Sequence, residues 1–180
     1  LPYEDYQNLH VRKYGFHGTS HRFVSAALAE AMGKDIKDLK IVSCHLGNGS
    51  SITAVDGGKS VDTSMGFTPL DGVVMGTRSG AVDPSAVTFV ADKHGFTPSE
   101  MSDYMNKKSG FLGVSGVGSD NRDITKAAND GNERAQLVSD MLVYDIKKYI
   151  GSYAAAMNGL AAVLFTGGIG ENAFDVREAV

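Results

Sequence analysis

The sequence is poor in the features that mark several large protein classes. Among its 180 residues there is one cysteine, Cys44, so no disulfide framework can form within the chain, and we expect a protein of the reducing cytoplasm. No apolar run approaches the roughly 20 residues that a membrane helix needs. The formal net charge is -4, and no Lys or Arg stripe is present. Neither a nucleic acid nor a membrane is therefore expected as a partner.

The length and the two ends of the chain suggest how it is organised. A chain of 180 residues suits one domain, or one lobe of a larger enzyme. It begins with the mixed, acidic sequence LPYED rather than with a signal peptide, and it has no initiator Met. It also stops inside a helical pattern. We therefore expect residues 1–180 to be a single incomplete lobe that is cut at both ends.

Glycine, by contrast, is abundant, and the 22 glycines cluster after apolar runs. Strands are predicted at residues 40–45, 51–56, 59–63 and 161–166, the middle two forming a hairpin around Gly57 and Gly58. Helices are predicted from a cap at Thr19 or Ser20 to Met32, from Asp83 to Gly95, after a capping box at residues 97–100, from Asn132 to about Asn158, and after Asn172. Residues 109–119 are predicted as a loop. This order predicts an α/β lobe with a mixed β-sheet flanked by helices.

Two glycine-rich segments share one design, in which a buried strand is followed by glycines and then by polar residues. They are HLGNG at residues 45–49 and GGIGEN at residues 167–172. Ligands of open α/β sheets bind at strand ends, and exposed backbone N–H groups suit phosphate oxygens. The alternative is a pair of tight turns without a ligand. The presence of two such loops, each with polar residues, favours a phosphate site.

Two familiar nucleotide motifs fit less well. Residues 58–60 read GKS, like the end of a P-loop, but position 53 is Thr53 rather than glycine, and a strand follows instead of a helix. The P-loop interpretation therefore fails. The sequence GIGENA at residues 168–173 matches a dinucleotide fingerprint after a strand. A nicotinamide-dependent oxidoreductase is for this reason an alternative hypothesis.

Further polar residues stand where an anion could bind. His17 lies just before the first predicted long helix, where anions are favoured and where an imidazole can donate to phosphate. For His21 we expect a hydrogen bond within its own first helical turn, and too few acids are nearby for a metal site. Arg78 lies in a glycine-flanked loop, and its guanidinium suits bidentate contact with phosphate oxygens, although a surface salt bridge is the alternative. Asp120 or Asp123 is expected to cap a helix. Alternatively, the segment 120–123 forms a polar rim around a base or sugar.

Taken together, five segments resemble the acetate kinase family of the acetate and sugar kinase, heat-shock and actin superfamily. They are YGFHGTSH at 14–21, CHLGNG at 44–49, GGKSVDTSMGFTPL at 57–70, VMGTRSG at 74–80 and FTGGIGENA at 165–173. The resemblance covers nearly the whole chain in the family's order. It implies an RNase H-like lobe of the actin type, and it implies reversible transfer of the γ-phosphoryl of ATP to acetate with Mg²⁺. The carboxylate substrate could also be propionate, because propionate kinases share these motifs.

The resemblance also implies roles for particular residues. His17 and Arg78 match the residues that stabilise the transition state. The implied ATP- and ADP-binding residues are His45, Leu46, Gly47, Asn48, Gly49, Asp120, Asn121, Arg122, Gly168, Ile169, Gly170, Glu171 and Asn172. No residue of this chain is assigned to the metal, because the family's catalytic Asp and magnesium ligands lie in segments that this chain lacks. The family also implies a homodimer joined through this lobe. A third hypothesis is that the chain is a binding or assembly module, which binds nucleotide or dimerises without catalysis. We expect the 180-residue chain alone to be inactive.

Overall fold

One mixed sheet organises the protein. The computed structural model describes residues 1–180, and its four strands follow the spatial order β3-β2-β1-β4. The strands are β1 (Lys40–His45), β2 (Ser51–Asp56), β3 (Lys59–Thr63) and β4 (Ala162–Thr166). Strand β2 runs antiparallel to both β1 and β3, and β4 runs parallel to β1. The predicted α/β fold with a mixed sheet is confirmed.

Helices of very different length flank this sheet. In chain order they are α1 (Tyr3–Leu9), α2 (Gly18–Ala31), α3 (Pro84–His94), α4 (Pro98–Lys107), α5 (Gly110–Ser115), α6 (Asn121–Asn129), α7 (Glu133–Ala156), α8 (Gly167–Asn172) and α9 (Phe174–Ala179). A 3₁₀ turn (Ile36–Asp38) precedes β1. No helix combines the length and the apolar character that crossing a membrane requires.

The two faces of the sheet bury different side chains. Side chains alternate along a strand, and on one face Val42 and Cys44 pack in the larger core with residues of α7 such as Leu142. On the other face, Ile41 packs with Ala29 of α2 in a smaller core. Ser43, two residues after Ile41 in β1, shares this second face and is fully buried. The face under α2 therefore carries polar as well as apolar side chains toward the end of β1.

Local signals in the sequence predicted several boundaries correctly. Gly57 and Gly58 both have positive φ, at 57° and 78°, as a two-residue hairpin turn requires. Asp83 caps α3 by accepting from the Ser85 backbone N–H at 2.8 Å. Thr97 and Glu100 form the predicted capping box at the start of α4. The long helix α7 begins after Asn132, whose side chain accepts hydrogen bonds from two backbone N–H groups of the first turn.

The expected loop at residues 109–119 is wrong, because its first half forms the short helix α5. Gly110 adopts φ +60° and lies so close to the Met75 carbonyl that a Cβ there would overlap it. Phe111 is then buried in the larger core, and its backbone N–H donates to the same carbonyl at 2.9 Å. Burial of this aromatic side chain against α7 thus orders a segment whose glycine content predicts a loop. The short helix α1 has no counterpart in the sequence predictions.

The predicted cap of α2 is also wrong, and of its predicted apolar stripe Leu28 packs against the smaller core. The helix begins at Gly18 with His17 in the capping position, and Ser20 makes no cap because its hydroxyl bonds to His45 Nδ1 at 2.9 Å. The buried residues of α2 are His21, Ser25 and Ala29. The expected apolar residue Phe23 is instead 73% exposed. The helix presents His21 to the hydroxyls of Ser43 and Ser51, and it presents Ala29 to the smaller apolar core.

Candidate functional site

The two glycine-rich segments lie at the same edge of the sheet. They follow β1 and β4, which are parallel neighbours whose last residues, His45 and Thr166, are paired. The backbone N–H of Leu46 donates to the Thr166 carbonyl at 2.8 Å and ties the two segments together. A Cβ on Gly47 would lie 3.9 Å from the Gly168 backbone nitrogen. The sequence prediction that these segments form one site at the strand ends fits this arrangement.

The second glycine-rich segment forms helix α8 rather than a loop, which corrects the expectation from its glycines. The backbone N–H groups of Ile169 and Gly170 donate to the Leu46 carbonyl at 2.8 and 3.1 Å. In the first loop, the Gly47 N–H donates to Ser50 Oγ at 3.2 Å. These amides are therefore used inside the protein. The N–H groups of Gly47, Ile169 and Gly170 are thus not free to bind a phosphate, and the expectation now applies only to the other backbone N–H groups of the two segments.

The predicted transition-state residues, His17 and Arg78, meet above Gly49. A Cβ built on Gly49 would lie 3.1 Å from Arg78 Nη1 and 3.5 Å from His17 Nε2. Three segments that are far apart in sequence thus converge at one point, and the missing side chain of Gly49 leaves space there. A guanidinium and an imidazole nitrogen close to one point form an arrangement that could bind an anion, if the imidazole nitrogen carries the proton.

Arg78 is held from several sides. Its Nη1 donates to the Pro69 carbonyl at 3.2 Å. The loop that carries it is fixed by the Thr77 hydroxyl, which donates to the Asn106 carbonyl at 2.8 Å, and by the Ser79 N–H, which donates to the Met105 carbonyl at 2.9 Å. The side chain is half-buried and has no acidic partner among the ion pairs. Within residues 1–180, the alternative of a surface salt bridge is not observed.

Three histidines gather beside this point. The His17 ring stacks on the His45 ring at a centroid distance of 4.2 Å, and the His21 ring lies 6.2 Å from that of His45. Burial, followed by the neighbouring His45 and Arg78, lowers the pKa of His17. Burial is also the largest cause that lowers the pKa of His21, to about 4, and it lowers the pKa of His45 against an opposing effect of Glu171. All three rings are consequently neutral near pH 7.

The interpretation of His21 as a residue bonded within its own helical turn is wrong. Its Nδ1 lies 2.8 Å from Ser43 Oγ, and its Nε2 lies 2.7 Å from Ser51 Oγ. Both partners belong to the sheet beneath the helix. No group of three or more His, Cys, Asp or Glu side chains is arranged to hold a metal ion.

A large cleft opens next to the glycine-rich segments, with a volume of about 1280 Å³. Of the predicted nucleotide residues, those that line it are Gly47, Asn48, Asp120, Asn121, Arg122, Gly168, Ile169 and Asn172. His45, Leu46, Gly49, Gly170 and Glu171 do not line it. Leu46 is fully buried in the larger core, and Gly49 instead lies beneath Arg78. Some of the predicted nucleotide residues thus line the cleft, whereas the others lie behind it or beside it.

The segment 120–122 begins helix α6, as the capping alternative predicted. The Asp120 carboxylate accepts from the Arg122 backbone N–H at 2.9 Å and from the Arg122 guanidinium at 2.6 Å. Hydrogen bonds from Arg122 lower the pKa of Asp120 to about 2. The polar-rim interpretation fits as well, because all three residues also line the cleft. Arg122 is exposed, so its charge faces solvent and the cleft entrance.

Sequence reasoning missed part of the cleft wall. The missed residues are Ser119, Thr125, Lys126, Asn129, Asp130, Ala173, Phe174 and Asp175. The spacing of Arg122, Lys126 and Asn129 places them on one face of α6, since helical residues three and four apart are neighbours. That spacing is the sequence signal that could have identified them. The side chain of Asn48 packs against Gly76, where a Cβ would lie only 2.7 Å from Asn48 Oδ1.

Comparison with known proteins agrees with this arrangement. The sequence profile of the Acetokinase family matches residues 1–180. The chain belongs to the acetokinase family. It is 58% identical over 180 residues to acetate kinase 2 of Clostridium perfringens and 57% identical over 180 residues to the acetate kinase of Bacillus subtilis. It covers 45% of the first of these acetokinases and 46% of the second, so the chain spans about half their length.

Solved acetokinase structures have the same fold. The acetate kinase of Porphyromonas gingivalis superimposes with a TM-score of 0.98 at 52% identity, over 99% of this chain and 45% of that one. A propionate kinase from Francisella tularensis superimposes with a TM-score of 0.94 at 45% identity, over 99% of this chain and 46% of that one. Membership of the acetokinase family, which the five sequence segments indicated, is confirmed.

Proposed function

We propose that this chain is the nucleotide-binding lobe of a longer acetate kinase, which transfers the γ-phosphoryl group of ATP to acetate. The observation that carries the proposal is the convergence of His17 Nε2 and Arg78 Nη1 above Gly49. This point adjoins the loop whose Gly47 and Asn48 line the cleft. Relatives named acetate kinase, 56–59% identical, support the proposal.

The residues suit this reaction for a physical reason. Phosphoryl transfer requires mainly that the reactants be positioned and that charge on the equatorial phosphoryl oxygens be stabilised. Acetate is ionised near pH 7, so its attack needs no general base. Arg78 contributes a positive, forked donor, and neutral His17 contributes a second N–H. In this proposal the cleft beside Gly168 and Asp120 holds the nucleotide.

The remaining parts of the reaction are assigned elsewhere. Magnesium, when bound in such enzymes, offsets phosphate charge. This chain has no group of three or more His, Cys, Asp or Glu side chains around one ion position. We infer that the magnesium ligands, like the other half of the cleft, belong to a segment outside residues 1–180. The isolated chain should then bind a nucleotide and form no acetyl phosphate.

Nucleotide binding tests the proposal directly. Isothermal titration calorimetry of the 180-residue chain should detect binding of ADP and not of NADH. Binding of NADH without ADP would instead support the oxidoreductase alternative. Formation of acetyl phosphate by this chain alone would contradict the assignment of half the site to another segment.

The choice of carboxylate is tested in the longer enzyme. We expect kcat/KM for acetate to exceed that for propionate, and the reverse order would make the protein a propionate kinase. Propionate carries one more methylene than acetate. One methylene changes binding by about 1–3 kcal/mol, so this comparison is sensitive enough to decide.

We infer further that two copies pair through this lobe. The helix α7 supports this, because Leu137 and Tyr144 on its outer side are 52% and 67% exposed. Residues seven apart lie on the same side of a helix, and a contiguous exposed apolar patch marks an interaction surface. Light scattering on the longer enzyme should give the mass of a dimer, and a monomer would contradict this inference.

A further inference from the structure

A continuous line of hydrogen bonds runs from the sheet to the predicted transition-state histidine. Ser43 Oγ lies 2.8 Å from His21 Nδ1, and His21 Nε2 lies 2.7 Å from Ser51 Oγ. Ser51 Oγ in turn lies 2.9 Å from His17 Nδ1. Ser43 and Ser51 are fully buried, and His21 is 4% exposed. The line connects β1, α2 and the start of β2, and it ends at the imidazole nitrogen opposite the one that faces Gly49.

The direction of these bonds is fixed at the buried end. The Ser43 hydroxyl has His21 Nδ1 as its hydrogen-bond partner and makes no other hydrogen bond. Leaving a buried hydroxyl proton without an acceptor costs about 1–3 kcal/mol. Ser43 therefore donates its proton to His21, and His21 Nδ1 acts as the acceptor.

The orientation passes from His21 to Ser51. Burial lowers the pKa of His21 to about 4, so near pH 7 this ring carries one proton. With Nδ1 accepting, that proton resides on Nε2. His21 Nε2–H then donates to Ser51 Oγ, which leaves the single proton of Ser51 free to be donated onward.

Ser51 has two possible acceptors for this proton. His17 Nδ1 lies at 2.9 Å, whereas the Phe16 carbonyl oxygen lies at 3.5 Å, the outer limit of a hydrogen bond. The shorter bond is favoured, so Ser51 donates to His17 Nδ1. The proton of the neutral His17 ring then resides on Nε2, which faces the same point as Arg78 Nη1.

We propose that Ser43, His21 and Ser51 are positioning residues that hold His17 in the Nε2–H tautomer, so that it donates a hydrogen bond toward the anion beside Arg78. The catalytic consequence rests on the proposed phosphoryl transfer, whereas the tautomer itself does not. The order of the bonds is Ser43 O–H to His21, His21 Nε2–H to Ser51, and Ser51 O–H to His17. In the opposite tautomer, His17 Nε2 would direct a lone pair at a phosphoryl oxygen and repel it.

Nuclear magnetic resonance of the ¹⁵N-histidine-labelled 180-residue chain tests the tautomer without any activity. The ¹⁵N shifts of the two ring nitrogens report which one is protonated. We expect His17 to be protonated mainly at Nε2 in the wild-type chain and to become a mixture of tautomers in Ser51→Ala. A wild-type ring protonated mainly at Nδ1, or an unchanged ratio in Ser51→Ala, would overturn the proposal.

A matched pair at position 21 separates positioning from packing. The glutamine side chain of His21→Gln reaches as far as Nε2 and can still donate to Ser51, whereas the shorter side chain of His21→Asn reaches only the Nδ1 position near Ser43. We expect His21→Gln to preserve the His17 tautomer and His21→Asn to mix it. Equal ratios in the two variants would contradict the relay. This pair also serves as the test if Ser51→Ala does not fold.

Steady-state kinetics of the longer enzyme provide the functional part of the test. Ser51→Ala should lower kcat by about tenfold or more, because a donor to the transition state is present only part of the time, and KM for ATP should change little. An unchanged kcat together with a mixed tautomer would overturn the catalytic role. A wild-type enzyme without acetate kinase activity would reject the proposed function, while the NMR result would still decide the tautomer.

Discussion

The imidazole ring of His17 stacks on that of His45, with centroids 4.2 Å apart and ring planes inclined by 20°. His45 is held in place because its Nδ1 lies 2.9 Å from the Ser20 hydroxyl on the first turn of α2. Two protonated imidazoles at this distance would repel each other, and burial disfavours the charge on each. The stack therefore helps to keep His17 neutral, and in the proposed reaction a neutral ring contributes an N–H donor rather than a full charge.

Removal of His45 should raise the pKa of His17. In His45→Asn, the repulsion by a protonated His45 disappears and solvent gains access to the exposed face of the ring. Both effects favour the charged form, so the His17 pKa should move up toward its ordinary value of 6.5. Titration of the His17 Cε1 proton by NMR measures this change. His94→Asn, on the distant helix α3, serves as the control and should leave the His17 titration unchanged; a lower His17 pKa in His45→Asn would contradict the argument.

A methyl group at Gly49 should disturb catalysis more than folding. In Gly49→Ala, the new Cβ would lie 3.1 Å from Arg78 Nη1 and 3.5 Å from His17 Nε2, so the guanidinium must move by a few tenths of an ångström. Misplacement by about 1 Å can cost about a hundredfold in rate, and we therefore expect kcat of the longer enzyme to fall by about tenfold.

Gly151→Ala is the matched control for this substitution. No atom lies within 4 Å of a Cβ at Gly151, which is inside helix α7. In the isolated 180-residue chain, alanine there should raise the free energy of unfolding by up to about 1 kcal/mol. A Gly49→Ala enzyme with normal kcat would mean that the space above Gly49 is not part of the reaction site.

Features encoded by neighbouring residues were predictable from the sequence. The hairpin turn at Gly57 and Gly58 and the cap at Asn132 each depend on a few adjacent positions, and both are observed. The α/β class followed because the strands and helices have different hydrophobic periods. Family motifs then identified His17 and Arg78, whose convergence at Gly49 is consistent with their expected role.

Features that depend on tertiary contacts were not predictable in the same way. His21 bonds to Ser43 and Ser51, which are 22 and 30 residues away, and no local pattern distinguishes those partners from a bond within one turn. The buried face of α2 was misjudged for the same reason, because hydrogen bonds to Ser43 and Ser51 place the polar His21 on the buried side. Phe111 orders α5 through burial against α7, which the local glycines do not reveal.

The stability of the chain should fall as the pH drops below 6.5 because of His21. Its pKa is about 4 in the folded chain against an ordinary value of 6.5, so between these values the unfolded chain binds a proton that the folded chain does not. The free energy of unfolding is therefore greatest above this window and falls through it, by on the order of 3 kcal/mol if the whole window is crossed. Burial lowers the pKa of His17 and His45 also, and they contribute with the same sign.

Urea unfolding of the wild-type chain and of His21→Gln, between about pH 7 and pH 5, measures this contribution. The wild-type free energy of unfolding should decline more steeply toward low pH than that of the variant, which has lost one titrating group. His17 and His45, whose pKa values are also lowered, remain in the variant and give its free energy of unfolding a residual pH dependence. Parallel pH dependences of the two proteins would show that His21 is not the group responsible.

Loss of Arg78 should be the most damaging change for turnover. Its Nη1 is held by the Pro69 carbonyl and lies close to the point shared with His17 above Gly49. Arg78→Ala should lower kcat of the longer enzyme by at least about a hundredfold, as the loss of one charge-stabilising donor can. Arg78→Lys should recover only part of this, because an ammonium group keeps the charge but lacks the planar pair of donors. Arg22→Ala, at an exposed position on α2, should have normal kcat, and near-normal turnover in Arg78→Ala would remove Arg78 from the reaction.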